Sequence, residues 1–181
     1  MLGGIVYPPL GRFQDGVAAA ERAIALDPDY AVWYLQLEFH NQFLGRFDQA
    51  EQAIRRAADR KLEIPELMLQ RYDLAFLKSD RAGMEREVAQ AQGTAGVEDW
   101  LAQRQSFALA SEGRLQQART LTRRAVSLNQ QTARNDKVPL FEAGAAIRES
   151  LFGNVAEARQ ASASALTRST DRDIEYGAAF A

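Results

Sequence analysis

The chain has 181 residues, 46% of them hydrophobic and 25% charged, with a formal net charge of −2. That balance gives no global field to gather nucleic acid or an anionic membrane. Cysteine is absent, which excludes disulfides and thiolate metal sites, and no apolar run approaches the roughly 18 residues needed to span a bilayer.

Along the chain, Met-Leu-Gly-Gly-Ile-Val-Tyr-Pro-Pro has no basic region and too short an apolar run for a signal peptide, which sets a cytoplasmic expectation. Gly3-Gly4 and Pro8-Pro9 prevent a helix there. The pattern then predicts helices over 14–26, 31–44, 47–60, 65–78, 81–92, 98–112, 115–128, 137–152, 155–167 and 171–180. Asp27-Pro28 stops the first of them. A polar stretch, 129–137, separates the seventh from the eighth and reads as a longer loop or a lengthened helix start.

The predicted turns share a beat. Leu10-Gly11-Arg12-Phe13 returns as Leu44-Gly45-Arg46-Phe47, and Gly11, Gly45, Ser79 and Gly113 stand 34 apart, with Gly153 following after 40. The downstream helices repeat in register. Ala50, Met84, Ala118 and Ala158 lie five residues after their turns, and Ala23, Ala57, Ala91, Ala125 and Ala165 lie twelve after. Small residues at a fixed place let two helix backbones approach closely. A fixed period of this length is the mark of stacked repeats, each a helix pair that buries its apolar face only against its neighbours.

These residues resemble the tetratricopeptide repeat family over roughly 10–170. The resemblance implies an all-α, right-handed solenoid of about five helix pairs. It forms one array over 1–181, with units near 10–30, 31–64, 65–97, 98–131 and 137–170 and the start of a further helix at 171–181. In that family the first helix carries a small residue seven positions before the turn glycine. Ser106 and Ala146 fit this; Glu38 and Tyr72 do not. Two phrases, Ala82-Gly83-Met84-Glu85-Arg86-Glu87 and the run from Leu151 to Gln160, resemble the tetratricopeptide tails of bacterial serine/threonine kinases, and similar tails occur on winged-helix regulators.

The vocabulary of catalysis is thin, and the expectation is no enzyme, no metal and no cofactor. His40 is the one histidine and reads as a structural or surface residue. No Gly-x-Ser-x-Gly elbow, phosphate-binding loop, dinucleotide fingerprint or kinase signature is present. The basic doublets Arg55-Arg56 and Arg123-Arg124 sit among glutamates and glutamines and read as solvated helix faces.

The resemblance instead implies a partner groove lined by first helices. Carried over residue by residue, its wall includes Phe39, Gln42, Phe43, Asp73, Phe76, Trp100, Gln103 and Phe107. Such a set would prefer an apolar helix or an extended hydrophobic peptide. The alternative is that some of these residues pack between neighbouring first helices. The expectation is a non-catalytic protein-interaction scaffold belonging to a bacterial signalling protein, binding protein or peptide, with no nucleic acid and no membrane insertion. Self-association through the ends is the alternative: the apolar finish Ala178-Ala179-Phe180-Ala181 reads as a cut through a longer array or as a face that pairs with another subunit.

Overall fold

The computed structural model describes residues 6–94, 96–131 and 135–181. They contain ten α-helices: α1 (Phe13–Leu26), α2 (Ala31–Phe43), α3 (Phe47–Asp59), α4 (Pro65–Leu77), α5 (Arg81–Ala91), α6 (Glu98–Ser111), α7 (Leu115–Gln131), α8 (Val138–Leu151), α9 (Val155–Arg168) and α10 (Arg172–Ala179). No described residue is in a strand. None of these helices is long and apolar enough to cross a membrane. The chain divides into two compact units, Met1–Ala91 and Gln92–Ala181.

The turn between the helices of each pair explains the 34-residue beat. At Gly45, Gly113 and Gly153 φ is +69°, +78° and +74°, a left-handed conformation that glycine adopts without Cβ strain. The N–H of Gly45 donates to the Gln42 carbonyl (3.0 Å), and that of Arg46 reaches back to Asn41 (2.9 Å). The same two bonds recur at Gly113–Arg114 and Gly153–Asn154, satisfying carbonyls that the ending helix would orphan. Ser79 makes them too (3.0 Å to Phe76, with Asp80 at 2.8 Å to Ala75), at a φ of +58°. For a serine that conformation costs about 1 kcal/mol or more. Ser79→Gly is therefore expected to raise stability by about 0.5–1 kcal/mol, measured as a shift in urea midpoint. At the start, where Pro8-Pro9 forbids a regular helix, a single 3-10 turn (Pro8–Leu10) ends on Gly11 with this same hydrogen-bond pair.

In the first unit, α1, α3 and α5 are second helices and α2 and α4 are first helices. Ala20 and Ile24 of α1, Tyr34 and Leu37 of α2, Ala53 and Ala57 of α3 and Leu67 of α4 form one core, with Trp33, Leu62 and Ile64 packed on it. Ala50, Ile54 and Leu74 form a smaller cluster beside Phe47. The Pro28 carbonyl, freed where α1 stops, accepts from the Tyr34 hydroxyl (2.8 Å) and from Arg60 Nε (2.9 Å).

In the second unit, α6, α8 and α10 are first helices and α7 and α9 are second helices. Ala102, Ala125 and Phe141 pack with Trp100 and Val126, and Ala143, Ala165 and Ile174 join α8 to α9 and α10. The repeated alanines do what their register implies. Ala50, Ala57, Ala118, Ala125, Ala158 and Ala165 are fully buried, and Ala91 almost so. Ala23 and Met84 are only half-buried.

The polar stretch after α7 departs from the sequence expectation. Its first residues, 129–131, continue the helix, and 135–137 form a short 3-10 turn into α8; 132–134 lie outside the described residues. The reason is Asn129, which is 3% exposed. Its amide donates to buried Asp99 at the start of α6 (2.8 Å), and its carbonyl accepts the Lys137 N–H (3.3 Å). One side chain thereby ties three helix ends together. Asn129→Ala should cost about 1–3 kcal/mol by leaving Asp99 buried without that donor, read from chemical denaturation.

Candidate functional site

The expected groove residues fall into distinct surroundings. On α2, Phe39 is half-buried and Phe43 is 57% exposed. Both rings meet Phe13 of α1, Phe43 in a stacked arrangement at 4.9 Å, and they contact each other at 4.6 Å. Gln42 beside them is half-buried. On α4, Asp73 is half-buried, while Phe76 and Leu77 are 38% and 42% exposed.

In the second unit the set divides. Phe107 is 43% exposed, but Trp100 lies edge-on against buried Phe141 at 5.3 Å and belongs to the core cluster there. Gln103 is buried, and its amide finds no hydrogen-bond partner among the described residues. Gly144 on α8 explains the burial. A Cβ at that position would stand 3.0 Å from the Gln103 amide nitrogen and 3.1 Å from the Phe107 ring. A glycine there lets α6 side chains rest directly on the α8 backbone, so Gln103 packs between first helices rather than facing solvent.

Of the positions that the resemblance assigns to partner contact, the one two residues before the turn carries a large apolar side chain in three repeats and Ser111 in the fourth. Phe43, Leu77 and Leu151 occupy that position, and all three are left exposed, Leu151 at 81%. The first helices of each unit thus leave large apolar side chains exposed, Phe43, Phe76 and Leu77 in the first and Phe107 and Leu151 in the second.

His40 is fully buried. Its ring lies against Phe13 (6.2 Å) and Phe39 (5.6 Å), and Gly16 of α1 makes the room: a Cβ there would come within 2.4 Å of the imidazole. It is a packed core residue. The basic doublets are also accounted for. Arg55 pairs with Glu51, Arg56 with Glu21 (2.7 Å) and Arg124 with Glu98 (2.6 Å), while Arg123 donates to the Thr120 hydroxyl (3.0 Å).

The strongest electrostatic feature is a buried cluster on α8, absent from the sequence reading. Arg148 and Glu149 are 3% and 4% exposed. Arg148 donates to Thr122 Oγ1 (2.7 Å), Ser106 Oγ (3.4 Å) and Glu149 (3.2 Å). Glu149 also accepts two bonds from Arg119 (2.6 and 3.0 Å) and one from Asn154 (2.9 Å). The Arg119 guanidinium, helped by Arg148 and Asn154, holds the Glu149 carboxyl down to about 2 against the opposing effect of burial. Burial lowers Arg148 from the usual guanidinium range, and Glu149 resists that shift. The available signal was register. Arg148 and Glu149 occupy the positions that Leu74 and Ala75 hold in the first unit, so polar residues there stand at core sites.

Solved structures share the fold of the chain. The thermophilic TPR protein TTC0263 of Thermus thermophilus superposes with a TM-score of 0.63 at 19% identity, covering 97% of this chain and 93% of that one. The chain has a tetratricopeptide-type fold. The same fold links it to PilW, a widely conserved type IV pilus biogenesis factor (TM-score 0.62, 17% identity, 98% of this chain and 84% of that one). It also links it to the APC/C hetero-tetramer Cut9-Hcn1 (TM-score 0.64, 17% identity, 97% of this chain), of whose matched chain it spans 34%. No protein-family model matches the sequence, and neither does any curated protein. The fold is thus shared at sequence identities below a fifth.

Proposed function

We propose that the chain is a non-catalytic protein-interaction scaffold, whose first helices present apolar side chains to a helix or extended apolar segment of a partner. The observation that carries this reading is the set of large apolar side chains left exposed on first helices, Phe43, Phe76 and Leu77 in one unit and Phe107 and Leu151 in the other. Exposing one such residue is ordinary; several on the first helices of each unit favour a contact surface. Phe39 and Phe13 brace Phe43 from behind, which lowers the entropy lost when a partner covers it. In this reading the chain serves as the docking part of a bacterial signalling protein, as its phrases resembling kinase tails suggest.

The test is fluorescence anisotropy with a labelled amphipathic leucine–glutamine model helix. Phe43→Ser combined with Leu77→Ser should weaken binding about tenfold or more, since both side chains would otherwise be buried by the partner. Far-UV circular dichroism should stay unchanged, because both side chains are exposed in the free protein. Unchanged affinity in the double variant would sink the proposal. Self-association is a second reading, favoured by Tyr176 and Phe180 of the last helix and its end, which are 60% and 76% exposed. Light scattering across a hundredfold concentration range separates the two, since only the second requires the mass to grow.

A further inference from the structure

Ten residues before each turn, the first helices carry Leu35, Leu69, Gln103 and Ala143. Three of the four are apolar, and Leu69 and Ala143 are buried at 8% and 2% exposure. Gln103 is buried as deeply, at 4%. Neither its amide nitrogen nor its amide oxygen has a hydrogen-bond partner among the described residues. An amide taken out of water without partners costs free energy that a leucine in the same place does not. Stability alone therefore favours the residue found in the first unit, yet the second unit carries the polar one.

The cover over this amide is slight. Gly144 of α8 lies against it, and the Phe107 ring stands beside it. A Cβ on Gly144 would come 3.0 Å from the Gln103 amide nitrogen and 3.1 Å from that ring. Phe107 follows Gln103 by one helical turn, on the same face of α6. It is 43% exposed. A side chain that open to water changes rotamer on the order of nanoseconds or faster, without any movement of the helices.

We propose that Gln103 is a recognition group of the second unit. Phe107 turns off it on binding, and the amide then takes the main-chain N–H and C=O of one residue in an extended partner segment, whose apolar side chains rest on Phe107 and Leu151. A primary amide offers one acceptor and two donors, so it matches a group that presents a donor and an acceptor together. The N–H and C=O of one residue in an extended chain point to the same side and are exchanged as a pair. A helix has no such pair to give, because its main chain is bonded internally. Given the first-helix reading on which this rests, the occupant of the second unit is an extended segment rather than a helix.

The full chain, labelled with nitrogen-15, is titrated with N-acetylleucine N′-methylamide and with its counterpart methylated on the leucine nitrogen, which lacks that N–H. The first compound should shift amides of α6 and α8 around Phe107 and Gly144 and bind about threefold or more tightly than the second. Gln103→Leu should remove that gap and raise the urea midpoint, since it supplies the side chain that Leu35 and Leu69 place in this register. Gln103→Met, close to glutamine in shape, gives the same readout if the leucine variant does not fold. Equal binding of the two compounds overturns the proposal, as does a gap that survives in the variants. A lowered midpoint in both variants overturns it too, because the amide would then be satisfied in the free protein. If neither compound shifts α6 or α8, the first-helix reading of this unit falls with it; binding without a gap removes the role of Gln103 alone.

Discussion

Glu149→Ala is expected to destabilise the protein by about 3–5 kcal/mol, the largest effect of any single substitution considered, because it strands buried Arg148 as a charge without its carboxylate. Arg148 would keep only the hydroxyls of Thr122 and Ser106, and Arg119 and Asn154 would each lose their acceptor. Equilibrium urea unfolding measures the loss; a change under about 1 kcal/mol would mean that water replaces the carboxylate at little cost. Glu149→Gln should cost less, since an amide still accepts one hydrogen bond. The same carboxylate predicts acid sensitivity. Its folded pKa is about 2 against an ordinary 4.5. A depressed carboxylate adds stability that is complete above the unfolded value and lost as pH falls through the folded one. Stability should therefore decline between pH 4.5 and about 2, by roughly 3 kcal/mol from this group, and Glu149→Gln should flatten that decline.

Gly16→Ala is the second large effect, and its sign is opposite to the one helix propensity gives. In an exposed helix the change would add about 1 kcal/mol. Here the new methyl would enter the fully buried His40 ring at 2.4 Å, and the expected result is a loss of about 1–3 kcal/mol by thermal or urea unfolding. The repeat supplies a rescue. Gly16 and His40 stand in the register that Ala50 and Leu74 occupy one unit later, where the two pack together in a buried cluster. Combining Gly16→Ala with His40→Leu transplants that pair and should recover most of the loss. Failure of the double variant to exceed Gly16→Ala alone would show that the imidazole does more than fill space.

How much was legible in the sequence follows from which forces are local. The turn glycines determine a left-handed backbone on their own, so the periodicity places four helix ends correctly, and Ser79, in register with the glycines, shares their positive φ. The alanines five and twelve residues past each turn were legible because close helix packing needs small side chains at a fixed phase. The exposure of the expected wall residues was legible only in part. Phe43, Phe76 and Phe107 are exposed as a contact surface requires, whereas Trp100 packs on Phe141 and Gln103 is sealed off across Gly144. Whether a first-helix side chain faces solvent or its neighbour depends on one small residue in the next repeat, which helical phase does not reveal.

Sequence alone therefore determined the helix pairs, their order and their turns, since these rest on backbone preference and on patterns within about 34 residues. Only the tertiary structure decided the polar interior. Arg119, Thr122, Arg148 and Glu149 come from separate helices or lie next to one another on a face that looks solvent-bound by composition. Their meaning is a matter of distance and burial: 2.6 Å across α7 and α8 turns charged residues into a buried network. Asn129 likewise looks like part of a polar loop until Asp99 is found 2.8 Å away, about thirty residues back along the chain. Long-range pairing of polar groups leaves no periodic trace, because each pair is made once, whereas apolar packing repeats with every unit.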